Sequence, residues 1–310
     1  MSLPDWIRGP VVLLGSRGML GRRLERDLSA RIGSATGVRL VAVDREEIDV
    51  RDPAAVRKML REIGRSVVIN AAAYTDVDGC ESQVDEAFAC NARAPGYCAD
   101  ACRELGSLLV HLSTDFVFDG RQASPYRPGD AASPLSVYGR SKWEGEEAVR
   151  RADCRHLIVR TSWLFGWGGK NFVEAILAKA ASGERLRVVN DQVGRPTLTD
   201  DLSDAVMRLL DAGAEGTVHF ANEGQCSWWE FAREIVALSG SRVEVGTMTT
   251  SELGRPAVRP AYSVLDLQSY VELTRHTPRH WLEALREYLS TREIGVAQPP
   301  SSHRVGRRGN

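Results

Sequence analysis

Tyr138 and Lys142 stand four residues apart in the stretch Pro-Leu-Ser-Val-Tyr-Gly-Arg-Ser-Lys-Trp-Glu-Gly-Glu, residues 134–146. On a helix they share one face, one turn from each other. A free phenol, with a pKa near ~10, works poorly as a base at neutral pH. An adjacent ammonium favours the phenolate and lowers that pKa, which makes a group able to give and take a proton near neutrality. A helix that merely carries one tyrosine and one solvated lysine reads the same way in isolation. A working site needs more: a cofactor cradle, a hydroxyl partner and a substrate pocket.

The cradle is suggested near the start of the chain. Val11-Val12-Leu13-Leu14 is a wholly apolar run, which reads as a strand buried on both faces. Gly15-Ser16-Arg17-Gly18-Met19-Leu20-Gly21 follows at once, and a helix is expected from Arg22 to Leu28. Strand, glycine turn, helix is the context in which Gly15, Gly18 and Gly21 point to a dinucleotide. They let the backbone approach a pyrophosphate seated on the helix N-terminus, at Met19 and Leu20. An ordinary tight turn is the competing reading. A second strand over residues 39–43 ends in Asp44-Arg45. An acidic residue there meets the adenosine 2′-hydroxyl of NAD(H), and an arginine meets the 2′-phosphate of NADP(H). Arg17 is a second phosphate partner, so Arg17 and Arg45 against Asp44 favour NADPH, with NADH as the alternative. Solvated surface charge is the competing reading for each arginine.

The hydroxyl partner follows from the same alternation. Asp52-Pro53 opens a helix carrying Val56, Leu60 and Ile63. The strand Val67-Val68-Ile69 leads into Asn70-Ala71-Ala72, small residues that let a cofactor lie close to the backbone. One long helical stretch is expected through Ala87, Asn91, Ala94 and Ala101. The strand at residues 108–112 then delivers Thr114 to the C-terminal edge of the sheet, where Tyr138 should also stand. His111 reads as a packed histidine.

Beyond a strand at residues 156–160, Trp163 falls on the same rim, with core packing as its competing role. Gly168-Gly169-Lys170-Asn171 turns into a helix at residues 172–181, and residues 186–189 form a strand. Residues 191–197 make a loop that could line a cleft. Thr199 or Asp200 is expected to cap a helix reaching Leu210, residues 218–221 to form a strand, and Ser227 to cap a helix at residues 228–238. After Gly240, prolines alternate with Arg255 and Arg259, whose forks suit phosphate oxygens; an exposed loop arginine is the competing reading. A helix closes the chain at residues 281–289. The fold expected is α/β, a doubly wound parallel sheet of Rossmann type with a smaller C-terminal substrate-binding lobe. Residues 1–165 would bind the dinucleotide and residues 166–292 mainly the substrate. Residues 198–221 would return to the first domain, and residues 293–310 would be a disordered tail.

Composition sets the outer bounds. The chain has 310 residues, 43% apolar and 26% charged, with a formal net charge of −1, so neither nucleic acid nor an anionic membrane is an expected partner. No leader or membrane-length apolar run is visible. Cys80, Cys90, Cys98, Cys102, Cys154 and Cys226 lack paired metal-ligand spacing and read as reduced thiols of a cytoplasmic protein.

Five ordered motifs now carry a resemblance. They are Asn-Ala-Ala-Ala-Tyr-Thr-Asp-Val-Asp (70–78), Ser-Thr-Asp-Phe-Val-Phe-Asp-Gly (113–120), residues 134–142, Arg-Thr-Ser-Trp (160–163) and the pair of segments 191–197 and 259–263. Together they resemble the extended short-chain dehydrogenase/reductase superfamily and, within it, the dTDP-4-dehydrorhamnose reductases, over about residues 10 to 290. The resemblance implies the last step of dTDP-L-rhamnose synthesis, a polysaccharide precursor: reduction of a 4-keto group by a nicotinamide cofactor. It implies Tyr138 as proton donor to O4 and Lys142 as modulator of that phenol and anchor of the nicotinamide ribose. Thr114 would hydrogen-bond the reacting carbonyl. Val77 and Trp163 match positions that meet the deoxysugar, and Asn171 and Arg259 are candidates for the nucleotide. Two departures stand out. Phe116 replaces the family's usual tyrosine. Arg22-Arg23-Leu24 stands where some members carry a glutamate that binds Mg²⁺ at a dimer contact, so no metal is expected and monomer or homodimer stays open.

Two rival readings remain. One is an NDP-sugar epimerase or dehydratase, although Phe116 is not the second acid that dehydration would need. The other is a non-catalytic NADP-binding regulatory subunit similar to that of methionine adenosyltransferase, which has serine where Thr114 stands.

Overall fold

Four apolar residues in a row need cover on both faces, and β1 (Val11–Leu14) has it: every residue is buried. The structure, a computed structural model, describes residues 9–33, 37–183 and 185–295. α1 (Met19–Ile32) covers one face with Leu20, Leu24, Leu28 and Ile32 at helical spacing. β2 (Leu40–Val43), α2 (Pro53–Ile63) and β3 (Val67–Asn70) continue the alternation. Asp52 caps α2 by accepting from the amides of Ala54 and Ala55, with Pro53 in the first turn.

The single helix expected through Ala87 and Ala101 is three pieces following α3 (Val77–Ser82). These are α4 (Val84–Phe88), a π turn over Ala89–Arg93 and α5 (Ala94–Leu105). The reason is Asn91. Its side chain turns inward, accepting from the Tyr74 amide at 2.8 Å and donating to the Tyr74 carbonyl at 2.9 Å and the Ser141 hydroxyl at 3.1 Å. The π turn is the local rearrangement that accommodates it.

β4 (Leu108–Thr114), α6 (Val137–Arg151) and β5 (Arg155–Thr161) complete the first half of the chain. Then come β6 (Leu164–Phe165), α7 (Phe172–Ala181), β7 (Leu186–Val189), β8 (Val193–Gly194), β9 (Thr197–Leu198) and α8 (Thr199–Asp211). β10 (Gly216–His219), β11 (Cys226–Ser227), α9 (Trp228–Leu238) and β12 (Val245–Met248) follow. α10 (Thr250–Leu253), α11 (Gln268–Thr274) and α12 (Trp281–Gly295) end the chain.

Six strands form one parallel sheet in the order β10-β5-β4-β3-β1-β2. The chain leaves β1 for one neighbour, β2, and returns to the other, β3. That reversal opens a crevice at the C-terminal ends of β1 and β3, where doubly wound sheets bind ligands. The core on one face of the sheet joins α1 to Leu202, Val206 and Leu209 of α8 and to Tyr270 of α11. A second core holds Phe165, Ile176, Phe231, Trp281 and Tyr288 together, beside the parallel pair β7 and β12.

Some local expectations shift. Neither Thr199 nor Asp200 caps α8. Its N-cap is Leu198, with no side-chain cap; the Leu198 amide itself donates to Asn222 Oδ1 at 2.9 Å, which ties the start of the helix to a residue distant in sequence. Asp200 instead pairs with Arg23. Ser227 does cap α9, in a capping box with Glu230. The strand expected at residues 218–221 begins two residues earlier. α12 runs on to Gly295, which overtakes the first three residues of the expected tail; residues 296–310 lie outside the described residues. The cysteines are free, five buried and Cys90 half-buried. Among the described residues no helix is long and apolar enough to cross a membrane.

Candidate active site

Thr114 ends β4, and α6 starts where it must to meet it. Ser136 caps α6 by accepting from the Gly139 amide at 3.1 Å, and the Val137 amide donates to Glu81 at 2.8 Å. Gly139 lies so close to the Phe116 carbonyl that a side chain there would overlap it, so glycine lets the helix sit on the turn after β4. Tyr138 is thereby held edge-on to Phe116, ring centroids 5.5 Å apart, with Thr114 near enough to bear on the phenol's pKa.

The phenol departs from the sequence expectation. Burial pushes its pKa above the ordinary value; Thr114 pulls the other way, and Asp115 and Cys80 add to the rise. Lys142 does not draw it down, because its ammonium is engaged elsewhere. Nζ donates to the Leu112 carbonyl at 2.6 Å and lies 3.5 Å from His111 Nε2. Burial lowers the Lys142 pKa to about 8, while Glu146 one turn on works to raise it. A phenol raised in this way keeps its proton at neutral pH, which suits a donor better than a base. His111 is packed, as its sequence suggests, yet it also bridges Lys142 to Asn70, whose Nδ2 lies 3.4 Å from His111 Nδ1.

Thr114 has its own departure. Its hydroxyl donates to Asp115 Oδ1 at 3.0 Å and accepts from the Phe116 amide at 3.2 Å. Asp115 is buried; desolvation raises its carboxyl pKa to about 6, against hydrogen bonds from Ser263 and Thr114. The hydrogen expected to meet a substrate carbonyl is therefore directed inward. Beneath this layer, Glu146 is fully buried and takes Arg160 in a two-pronged pair at 2.7 and 2.9 Å, Arg150 at 2.8 Å and the Ser113 hydroxyl at 2.6 Å. Burial alone would raise its carboxyl; Arg160, with Ser113 and Arg150, more than offsets that and holds it low. Sequence reasoning missed this cluster. Its signal is the polar stripe Tyr138, Lys142, Glu146, Arg150 at four-residue steps on one helix face.

At the crevice, a cleft of about 340 Å³ is lined by Gly15, Arg17, Gly18, Asp44, Arg45, Ala71, Ala72 and Tyr74, among others. Gly15 has φ +81° and lies against the turn after β3, where a Cβ would stand 2.7 Å from the Ala72 nitrogen. Gly21 fits the helix onto the turn in the same way, and Leu20 is buried beside it. The first amides of α1, from Met19 onward, follow a Gly18 N-cap that supplies no side-chain cap, leaving them to an anion. Asn70 shapes the floor by accepting from the Ala72 amide at 3.1 Å. Glycine turn, uncapped helix and small-residue floor fit a dinucleotide. Of the two arginines, Arg17 is committed to Glu46 and Glu47, and its amide meets Asp44 at 2.9 Å. Arg45 is 70% exposed and only 4.0 Å from Glu86, so it is the freer cation.

A second cleft, about 410 Å³, is lined by Asp78, Phe116, Trp163, Phe172, Trp228, Arg255, Arg259 and Ser263 with others. Trp163 sits at a left-handed φ of +48°, stacked on Trp228 with ring centroids 3.5 Å apart. A Cβ on Gly194 would stand 2.5 Å from the same indole. Strain of this kind persists where the surroundings impose it. Arg259 pairs with Asp78 at 3.0 Å, and Arg255 reaches the same carboxylate at 3.3 Å. Val77 opens α3 next to Asp78. Asn171 is placed differently from the expectation. It caps α7 by accepting from Glu174, and its amide donates to Gly166 and Gly169, so its polar atoms are spent on the chain outside this cleft.

Comparison with known proteins adds the following. Residues 9–294 match the family described as RmlD substrate binding domain. The chain is 41% identical over 282 residues to the spore coat polysaccharide biosynthesis protein SpsK of Bacillus subtilis, covering 91% of this chain and 97% of that protein. It is 40% identical over 306 residues to a dTDP-4-dehydrorhamnose reductase of Mycobacterium tuberculosis, covering 96% of each. A crystal structure of dTDP-4-dehydrorhamnose reductase from Bacillus anthracis in complex with NADP superposes with a TM-score of 0.86 at 33% identity, over 91% of this chain and 99% of that one.

Proposed function

The chain belongs to the dTDP-4-dehydrorhamnose reductase family, and from that premise we propose that it reduces the 4-keto group of dTDP-4-dehydro-L-rhamnose to give dTDP-L-rhamnose with NADPH. The observation that carries this reading is the meeting of Thr114 and Tyr138 on the sheet edge that also bears a dinucleotide cleft and an aromatic, cation-lined one. A nicotinamide held in the first cleft would supply the hydride. Tyr138 stays protonated at neutral pH and gives its proton to O4 as negative charge develops there. Lys142 would hold the nicotinamide ribose. Trp163 and Val77 border the deoxysugar, and Arg259, with Arg255 beside it, takes the diphosphate. Asn171 is left out of that set because its side chain is committed to capping α7. NADPH chemistry and free cysteines suit the cytoplasm.

The test is direct. The purified chain is expected to oxidise NADPH only when the ketosugar is supplied. If cofactor binds, no ketosugar is consumed and a partner enzyme's kinetics change instead, the regulatory alternative takes its place. Cofactor choice gives a second expectation. Arg45→Ala should weaken NADPH about tenfold, the loss of one charge-assisted hydrogen bond, and leave NADH unchanged. Equal losses for both cofactors in binding titrations would take the discrimination away from Arg45.

A further inference from the structure

Residues 255–263 are fastened to the loop after β4 at two points. Gly120, at φ +76°, lies so close that a Cβ there would stand 2.6 Å from the Ala261 nitrogen. The second point is polar: the Ser263 hydroxyl donates to Asp115 Oδ2 at 2.5 Å. Ser263 is itself buried and pinned, its amide donating to the Val193 carbonyl at 2.9 Å. The other oxygen of Asp115 receives Thr114. A hydroxyl has one hydrogen to give, so while Asp115 takes it Thr114 offers only lone pairs outward. A keto oxygen is also an acceptor and gains nothing from such a neighbour.

We propose that Ser263 is a positioning residue for the reduction: by holding the Asp115 carboxylate it turns the Thr114 hydrogen inward, so that Tyr138 donates to the keto oxygen and Thr114 accepts from the hydroxyl that forms. This rests on the reading of Tyr138 as the proton donor. The same segment carries Arg255 and Arg259 into the substrate cleft, so the residues proposed to take the diphosphate and the residue that sets Thr114 lie on one stretch of chain. The groups facing Asp115 are Thr114 from β4, the Phe116 amide, Ser263 and the Tyr138 phenol from α6, and among the described residues it has no ion pair. Its ionised form therefore leans on hydroxyl and amide donors, of which Ser263 gives the shortest bond.

The experiment uses the full chain with NADPH and the ketosugar, together with ¹³C NMR titration of the Asp115 carboxyl. Ser263→Ala is expected to lower kcat about tenfold with KM changed less than about twofold, the loss of one hydrogen bond to a charged group. The carboxyl midpoint, and the acid limb of the kcat–pH profile with it, should rise by about one pH unit. Ser263→Thr, which keeps the hydroxyl, should restore both. In an Asp115→Asn background, Ser263→Ala should cost nothing further, because the carboxylate it acts through is gone. An unmoved carboxyl midpoint, or losses that simply add in that background, would overturn the proposal and leave Ser263 a packing residue. Absent turnover in the wild type would sink the activity reading alone, since the carboxyl titration still decides whether Ser263 governs Asp115.

Discussion

Tyr138→Phe is expected to cut ketosugar reduction by about 10²–10⁴-fold, the range typical for removing a positioned proton donor. The substitution is conservative where it should be: phenylalanine keeps the edge-on contact with Phe116 and the packing against Val137 and Cys80. Only the hydroxyl goes. Cofactor affinity, read by quenching of protein fluorescence on NADPH titration, should stay within about twofold, since the glycine turn and α1 are untouched. A variant that retains more than about a tenth of wild-type kcat would remove Tyr138 from the chemistry and shift attention to water or Lys142 as proton source. The raised phenol pKa also has a direction to check. Turnover in the reducing direction should hold up well above neutrality, because the donor keeps its proton there.

The largest loss of stability should come from Arg160→Met. Arg160 is 1% exposed and its partner Glu146 fully buried, so removing the guanidinium leaves a carboxylate with no water to turn to. Breaking a buried pair from one side costs about 3–5 kcal/mol. Arg150 remains on Glu146, and it is partly exposed, so a value near the lower end is expected. The double variant Arg160→Met/Glu146→Leu should recover much of the loss, because two apolar side chains of similar bulk need no counter-charge. Urea midpoints of the two variants settle it. A single variant within about 1 kcal/mol of wild type would mean that solvent reaches Glu146 after all. Since Glu146 also supports the charge on Lys142, the double variant should lower the lysine's pKa from about 8.

What the sequence makes legible is local or topological. β1 and its glycine turn announce themselves within eleven residues, and the capping signals at Asp52 and Ser227 act over three or four. Thr114 and Tyr138 can be brought together from the sequence alone because parallel strands present their C-terminal ends to one edge. The misses share a cause: the partner lies far along the chain. The start of α8 is tied to Asn222, the π turn exists to send Asn91 to Tyr74, and Arg160 is explained only by Glu146. Helical spacing makes Lys142 the neighbour of one phenol, whereas packing gives its ammonium to a carbonyl on β4. The family motifs mark Arg160 and Trp163 as worth attention but do not say what each touches.

Two indole rings lie parallel, 3.5 Å apart, in the wall of the cleft that holds Arg259. At such a separation their electronic transitions mix, and the pair absorbs as one chiral chromophore rather than as two tryptophans. The chain thus carries an optical gauge in the cleft proposed to take the sugar nucleotide, needing no label. It responds to the spacing of two rings and is indifferent to whether any chemistry follows.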